Sequence, residues 1–234
     1  MFAIVTDSAS NIEPEFKAKE NIFIVPTVVI FGKSEFRDSD ISRNDFLERI
    51  RTGEIAKTSQ PSPADVEKVY NEALNSAESR EVLGVHLSSK LSGTFSTVYA
   101  VANNIENADI QLFDTHNLSL GAGYFVYLAV YLREKGYSLS DAKQILDKAR
   151  DQIHLEIYIQ GVPYLHRSGR INLGQYWLLR LLKLKPLLNI KDGLLVQKGL
   201  VFGQTGGAKK LISRILKQNK GDNPFLMIGH ATNP

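Results

Sequence analysis

The sequence predicts an α/β protein: a domain with a parallel sheet, followed by a second α/β domain with a mixed sheet. Strand-like apolar runs alternate with helix-like segments over about the first 153 residues, which is typical of a parallel sheet. From about residue 156 the rhythm changes, and Asp192-Gly193 separates two apolar runs as in a β-hairpin. We therefore predict domains at residues 1–155 and 156–234.

Four segments predict the strands. Phe2 to Thr6 is a short apolar run, and Ile22 to Phe31 is rich in β-branched and aromatic residues but interrupted at Pro26. Glu81 to Leu87 and Ile110 to Phe113 continue the series. Further strands are expected at Leu155–Val162 and in the apolar run Phe225–Gly229.

Capping residues mark where the helices begin. Ser10 with Glu13 forms a capping-box pattern that predicts a short helix. Ser42 with Asp45, and Ser62 followed by Pro63 and Asp65, are typical of helix starts. Three more helices are expected, at about 93–105, at about 120–134 and from Ser138 with Asp141 onward.

The composition excludes several function classes. A net charge of +3, from 28 basic and 25 acidic residues, is too even to indicate nucleic-acid binding. The absence of cysteine excludes a disulfide scaffold, an iron–sulfur cluster and a thiol nucleophile. The longest near-apolar run, Gly121–Leu132, is too short to span a bilayer, and the first residues lack a secretory signal. These features predict a cytoplasmic protein that does not insert into a membrane.

Two hydroxyl-rich loops precede predicted helices, at Lys57–Ser62 and at Leu87–Thr94. Hydroxyls and free backbone N–H groups at a helix amino terminus can bind an anion. The same residues also serve as ordinary helix caps, and spacing alone favours that simpler interpretation.

Two further segments carry polar groups of interest. Two arginines flank the Ser-Gly pair within Tyr164–Ile171, and a guanidinium there could bind a phosphate through two hydrogen bonds. His230 directly follows the apolar run Phe225–Gly229, which is expected to be a strand. Ligands gather at the carboxyl ends of strands in α/β folds. A solvated turn and a structural histidine are the simpler interpretations. The five histidines show no metal-ligand spacing, no Gly-x-Ser-x-Gly nucleophile motif occurs, and Gly203–Lys210 does not match a phosphate loop.

Taken together, these segments resemble the DegV family in their order along nearly the whole chain. The most specific are Thr58-Ser-Gln-Pro-Ser62 and Ser89-Lys-Leu-Ser-Gly-Thr94. The others are Ile4-Val-Thr-Asp-Ser8, Phe36-Arg-Asp-Ser-Asp-Ile-Ser42, Phe113-Asp-Thr with Ser119-Leu-Gly-Ala-Gly123, Ser168-Gly-Arg-Ile171, and Leu184-Lys-Pro-Leu-Leu with Asp192-Gly193.

The resemblance implies a two-domain α/β fold that holds a long-chain fatty acid in a tunnel between its domains. It implies that the carboxylate meets the two hydroxyl loops, which here provide Thr58, Ser59, Ser92 and Gly93. Family chains are usually longer at the carboxyl end, so part of the second domain is expected beyond Pro234.

Some family members, the fatty acid kinase binding subunits, present the bound carboxylate to a kinase that makes an acyl-phosphate. Their partner-facing arginine and histidine match Arg170 and His230. Where the family usually has Gly-Gly-Arg, this chain has Ser168 before the glycine, and the loop at 202–207 lacks an arginine found in related subunits. The expected partners are a fatty acid and a kinase, with transient membrane contact at most, no nucleic acid, and no metal or other cofactor.

Two rival functions remain open from the sequence. The first is an acyl hydrolase with Ser92 as nucleophile and His230 as base, which would need a third group to orient the histidine. The second is a regulatory interaction protein whose loops only cap helices and bind no lipid.

Overall fold

The computed structural model describes residues 1–159, 184–202, 204–218 and 226–230. The chain divides into two compact units, Met1–Ile153 and His154–Pro234. The strands are β1 Ala3–Asp7, β2 Ile22–Val25, β3 Val28–Phe31, β4 Ser34–Arg37, β5 Ala56–Ser59, β6 Glu81–His86, β7 Asp109–Asp114, β8 Glu156–Tyr158, β9 Leu184–Lys191 and β10 Leu194–Phe202. The described α-helices are α1 Pro14–Glu20, α2 Arg43–Arg51, α3 Pro63–Ser76, α4 Thr94–Ala102, α5 Ser119–Glu134, α6 Leu139–Ala149 and α7 Gln204–Gln218.

A four-stranded parallel sheet forms the centre of the first unit, with strand order β2-β1-β6-β7. Alternate residues of its strands face opposite sides. Ile4 and Leu83 pack with Phe125 of α5 on one side, whereas Val5 packs with Val66 of α3 on the other. Both sides are covered by helices, which explains why the central strands are buried and mostly apolar before their polar carboxyl ends. The predicted parallel α/β fold is confirmed.

The part of the chain between β2 and α3 forms a three-stranded antiparallel sheet with strand order β4-β3-β5. The predicted break at Pro26 is confirmed, because β2 joins the parallel sheet and β3 joins the antiparallel one. Sequence reasoning did not predict β4 and β5. Their residues are mostly exposed, so they lack the apolar pattern by which a strand is recognised.

Helix starts follow the predicted caps in α2, α3 and α6. Ser42, Ser62 and Ser138 each accept a hydrogen bond from the backbone amide three residues later. The predicted capping box of Ser10 with Glu13 is wrong, because α1 begins at Pro14 without a side-chain cap. Asn11 adopts a left-handed conformation that separates Ser10 from the helix, and the Ser10 hydroxyl instead lies 2.7 Å from that of Thr6.

In the second unit, β8, β9 and β10 form an antiparallel sheet with α7 packed on it. The predicted hairpin is confirmed, since Asp192 and Gly193 connect β9 to β10 with φ angles of 51° and 79°. Two positive φ angles identify the turn that suits the twist of paired strands. Arg214 of α7 holds Glu156 of β8 through two hydrogen bonds of 3.0 Å.

Two strand predictions in the second unit need correction. Only Glu156–Tyr158 of the expected strand 155–162 is a strand, and residues 160–162 lie outside the described part of the chain. Residues 226–230 form neither helix nor strand, and Leu226 and Ile228 are exposed, so the strand expected there is wrong for these residues. No helix among the described residues is both long and apolar enough to cross a bilayer.

Candidate functional site

The first hydroxyl loop leaves the antiparallel sheet. Thr58 and Ser59 are the last residues of β5 and pair with Val29 and Val28 of β3. Both are exposed, and their hydroxyls have no hydrogen-bond partner among the described residues. Three residues, Gln60 to Ser62, connect Ser59 to the start of α3, so the loop is held by a sheet on one side and a capped helix on the other.

The second hydroxyl loop leaves the carboxyl end of β6 and is fixed at its first three residues. The Leu87 amide donates to a carboxylate oxygen of Asp7 at 2.9 Å. The Ser88 amide donates to the backbone oxygen of Asn117 at 2.8 Å, and the Ser89 amide donates to the carboxylate of Asp114 at 3.3 Å. The ends of β1, β6 and β7 thus set the path of this loop.

Ser92 and Gly93 complete the second loop just before α4. The Ser92 hydroxyl lies 2.9 Å from that of Thr94 and accepts a hydrogen bond from the Thr94 amide at 3.2 Å. Ser92 is half-buried, and its hydroxyl therefore stiffens the helix entrance as well as facing the loop.

Gln60 joins the two loops. Its side-chain amide lies directly against the α-carbon of Gly93, in the space that a β-carbon at that position would fill. Any larger residue at 93 would displace Gln60. The structure therefore brings Gln60, which follows Ser59 in the first loop, into contact with Gly93 in the second.

The structure describes only one of the two partner-facing residues expected from the resemblance. Arg170 lies outside the described residues. His230 is described and exposed, at the end of the irregular segment 226–230 of the second unit. The roles expected of both residues stay predictions.

A fully buried polar chain lies beneath the second loop, and sequence reasoning missed it. The Tyr70 hydroxyl lies 2.7 Å from His86 Nε2, and His86 Nδ1 lies 3.0 Å from the same Asp7 oxygen that receives the Leu87 amide. The other Asp7 oxygen accepts from the Ala9 amide at 3.2 Å. Burial, and then the charge of Asp7, raise the pKa of Tyr70 well above its ordinary value of 10.0.

The sequence contained one indication of this series of buried polar side chains. Gly84 interrupts the otherwise bulky buried strand β6, and glycine inside a strand often marks a close approach. A β-carbon at Gly84 would meet the Tyr70 hydroxyl and would lie 3.2 Å from His86 Nε2. The glycine thus makes room for the tyrosine to reach the histidine.

A second polar cluster follows β1. The Thr27 amide donates to the Ser8 hydroxyl at 3.0 Å, the two hydroxyls are 3.0 Å apart, and the Thr27 hydroxyl donates to Asp38 at 3.3 Å. The other Asp38 oxygen is buried without a hydrogen-bond partner among the described residues. Burial raises the pKa of Asp38 above its ordinary value of 3.8, the Ser8 and Thr27 hydroxyls oppose that rise, and the Asp7 charge adds to it.

The candidate donors, Thr58, Ser59, Ser92 and the Gly93 amide, are neutral, although the two loops also carry the cations Lys57 and Lys90. In the described ranges no three His, Asp or Glu side chains are grouped so that they could hold a metal. Asp7 and Asp114 already take the amides of Leu87 and Ser89, which leaves hydroxyls and the amides at the start of α4 for a ligand. Such a set can hydrogen-bond an anion without forming an ion pair with it.

An open groove of about 580 Å³ runs between α3 and α4 on the far side of Gln60. Its lining mixes Val101 and Ile105 with Glu67 and Asn104. A long acyl chain needs mostly apolar walls, and this groove does not provide them.

Comparison with known proteins places the chain among similar sequences and structures. The family model described as "Uncharacterised protein, DegV family" matches residues 1–234. A DegV domain-containing protein of Deinococcus radiodurans is 34% identical over 224 residues, which cover 94% of this chain and 79% of that protein.

Two solved structures share the fold. A DegV family protein from Thermus thermophilus, described by its fatty acid binding, has a TM-score of 0.82 and 31% identity over 94% of this chain and 78% of its own. DegV of Bacillus subtilis, described as a fatty acid binding protein, has a TM-score of 0.77 and 29% identity over 92% and 76% of the two chains.

The raised pKa of Asp38 predicts a pH-dependent change in stability. A carboxyl group with a higher pKa in the folded state binds its proton more tightly there, so its ionisation disfavours folding. That cost is absent below the ordinary pKa of 3.8, grows as pH rises toward the folded-state pKa, and is constant above it. Asp38→Asn should therefore unfold at a higher denaturant concentration than the wild type at neutral pH.

The advantage of Asp38→Asn should disappear as the pH falls below 3.8. Asp40→Asn removes the same charge from an exposed position of the same short 3-10 turn and controls for net charge. Denaturant curves in which Asp38→Asn is less stable than the wild type at pH 7 would contradict the assignment.

Proposed function

The chain belongs to the DegV family, and on that premise we propose that it binds one long-chain fatty acid and presents the carboxylate to a fatty acid kinase for acyl-phosphate formation. In this proposal the chain is a non-catalytic subunit, and the kinase carries out the phosphoryl transfer. The Thermus and Bacillus structures support the lipid part, since both proteins are described as binding fatty acids.

The observation that carries the proposal is the contact of Gln60 with Gly93, which joins the two hydroxyl loops. The hydroxyls of Thr58 and Ser92 are the donors to the carboxylate, with Ser59 and the Gly93 amide beside them. A buried carboxylate needs such partners, because an unpaired one would lose more by desolvation than the acyl chain gains.

The acyl chain supplies most of the binding free energy. About 15 methylenes at about 0.8 kcal/mol each give about 12 kcal/mol before costs. Ordering of the ligand and loops removes several kcal/mol of that gain. The head-group contacts therefore select a carboxylate more than they determine whether any lipid binds.

Neutral donors also suit presentation to a kinase. A carboxylate locked to a lysine or arginine would be a poor nucleophile, whereas one held by hydroxyls keeps electron density for attack on a phosphoryl group. Arg170 and His230 are proposed to act on the partner side, where a guanidinium can bind a phosphate with two parallel hydrogen bonds.

The acyl hydrolase has less support than the binding protein. Its nucleophile, Ser92, is bonded to the hydroxyl and the backbone amide of Thr94 at the start of α4. Of the two described Asp–His pairs, Asp7 with His86 is fully buried and bonded to Tyr70, and His116 lies 3.7 Å from Asp114, whose carboxylate already accepts from the Ser89 amide. A serine whose hydroxyl bonds to threonine rather than to a base lacks the activated geometry that nucleophilic catalysis needs.

We expect purified protein to carry a fatty acid in about equimolar amount. Mass spectrometry of an organic extract, calibrated against protein concentration, measures it. An extract without fatty acid, from protein that also fails to take one up when it is supplied, would contradict the proposed function.

Thr58→Ala and Ser92→Ala should each weaken fatty-acid binding by about ten- to hundredfold. Each removes a hydrogen bond to a charged acceptor, which contributes about 1.5–3 kcal/mol. Thr58→Ala should leave stability unchanged, whereas Ser92→Ala should also lower it by about 1 kcal/mol through the lost hydrogen bond to the Thr94 amide.

Displacement of a fluorescent fatty acid measures the affinity of these variants. Ser96→Ala, one turn further along α4 and exposed, is the matched control and should bind as the wild type does. Unchanged affinity in both Thr58→Ala and Ser92→Ala would show that the carboxylate is bound elsewhere.

Arg170→Ala should leave fatty-acid affinity within a few-fold of the wild type but slow acyl-phosphate formation in an assay reconstituted with the kinase. Arg170→Lys should rescue poorly, because an ammonium lacks the two-pronged geometry of a guanidinium. Lost lipid binding with normal turnover at saturating lipid would instead make Arg170 a direct ligand of the fatty acid.

A further inference from the structure

The polar chain beneath the second hydroxyl loop has geometry that goes beyond core packing. Tyr70, His86 and Asp7 are each fully buried, and they come from three different elements, α3, β6 and β1. Burying an aspartate is costly unless its oxygens are hydrogen-bonded, and here His86 and two backbone amides donate to them. One of those amides belongs to Leu87, the first residue of the loop that leads to Ser92.

The hydrogen bonds from Tyr70 through His86 to Asp7 all point the same way, with each donor facing the next residue in that order. Asp7 accepts from the Leu87 amide and from His86 Nδ1, and the tautomer with its proton on Nδ1 leaves Nε2 to accept from the Tyr70 hydroxyl. His86 Nδ1 then donates to Asp7, which leaves the ring fixed at both nitrogens and the carboxylate fixed in orientation. Asp7 in turn holds the Leu87 amide at 2.9 Å.

The backbone between Leu87 and Ser92, the proposed ligand donor, is also held by hydrogen bonds. Ser88 is fully buried and its backbone oxygen accepts from the Ser92 amide at 3.3 Å. A displacement of Leu87 is therefore passed to Ser92 through one tight turn, and a small shift at a hydrogen-bonding group weakens the contact that it makes.

We infer that Tyr70, His86 and Asp7 form a positioning network that sets the Ser92 hydroxyl and the start of α4 for recognition of the ligand's carboxylate. None of the three touches the ligand; Asp7 acts through Leu87, and Tyr70 and His86 act through Asp7. This inference rests on the proposed function, because it assigns a role within the same site.

The network makes a prediction that a purely structural role does not share. It should affect the carboxylate contacts but not the acyl chain, so its loss should reduce the preference for a fatty acid over the alcohol of equal chain length. A network that only stabilises the fold would leave that preference unchanged.

The experiment compares hexadecanoic acid with hexadecan-1-ol as competitors of a fluorescent fatty acid on the full chain. Asp7→Asn should lower affinity for the acid by about tenfold, and Tyr70→Phe should lower it by about threefold, with affinity for the alcohol unchanged in both. Tyr70→Phe removes one oxygen atom and keeps the ring, so it remains informative if Asp7→Asn does not fold.

Leu74→Ala is the matched control, since Leu74 lies one turn after Tyr70 on α3 and is buried in the same cluster without belonging to the network. It should lower the thermal midpoint and leave the acid-to-alcohol preference as in the wild type. An unchanged preference in both network variants, or an equal fall in Leu74→Ala, would overturn the inference. A wild-type chain that binds neither competitor, or both equally, would instead contradict the proposed function itself.

Discussion

The hydrogen bond between the Asp7 carboxylate and the Leu87 amide joins the ends of two neighbouring parallel strands, and the candidate site depends on it. Parallel strands bring their carboxyl ends to one edge, but they do not determine how the chain leaves that edge. Asp7 binds the Leu87 amide where the chain leaves β6, and Asp114 binds the Ser89 amide two residues later in the same loop. The second hydroxyl loop is consequently positioned by side chains of strands far from it in sequence.

The charges at this edge explain the kind of donor that the loops use. Asp7 and Asp114 are satisfied by backbone amides, while Asp38, with its raised pKa, takes up a proton more readily than an exposed carboxyl does. Among the proposed donors a ligand carboxylate meets no cation and depends on hydroxyls and an amide, although the two loops also carry Lys57 and Lys90. In the proposed function, that dependence would limit head-group affinity and would keep the carboxylate available for chemistry in a partner's active site.

The sequence predicted those features that are determined locally. A serine cap and its acceptor amide lie three residues apart, and the Asp192-Gly193 turn lies between strands that are adjacent in the chain, so both could be predicted from a short window. The failures have two sources. Ser10 with Glu13 has the spacing of a capping box, but Asn11 turns the chain between them. The Tyr70–His86–Asp7 series joins residues 16 and 79 positions apart, and only the packed fold brings them together.

Two glycines show how the site is assembled from residues distant in sequence. At Gly84 the missing side chain leaves space for the Tyr70 hydroxyl, and at Gly93 it leaves space for the Gln60 amide. In each case a polar group from one segment occupies the volume that a β-carbon of another would fill, so the contact exists only while both residues are present. The contact at Gly84 sets the start of the second hydroxyl loop through His86 and Asp7. The contact at Gly93 fixes the end of that loop against the first hydroxyl loop. Because these two contacts define both ends of one loop, packing within the first unit fixes the loop that carries the proposed donors Ser92 and Gly93.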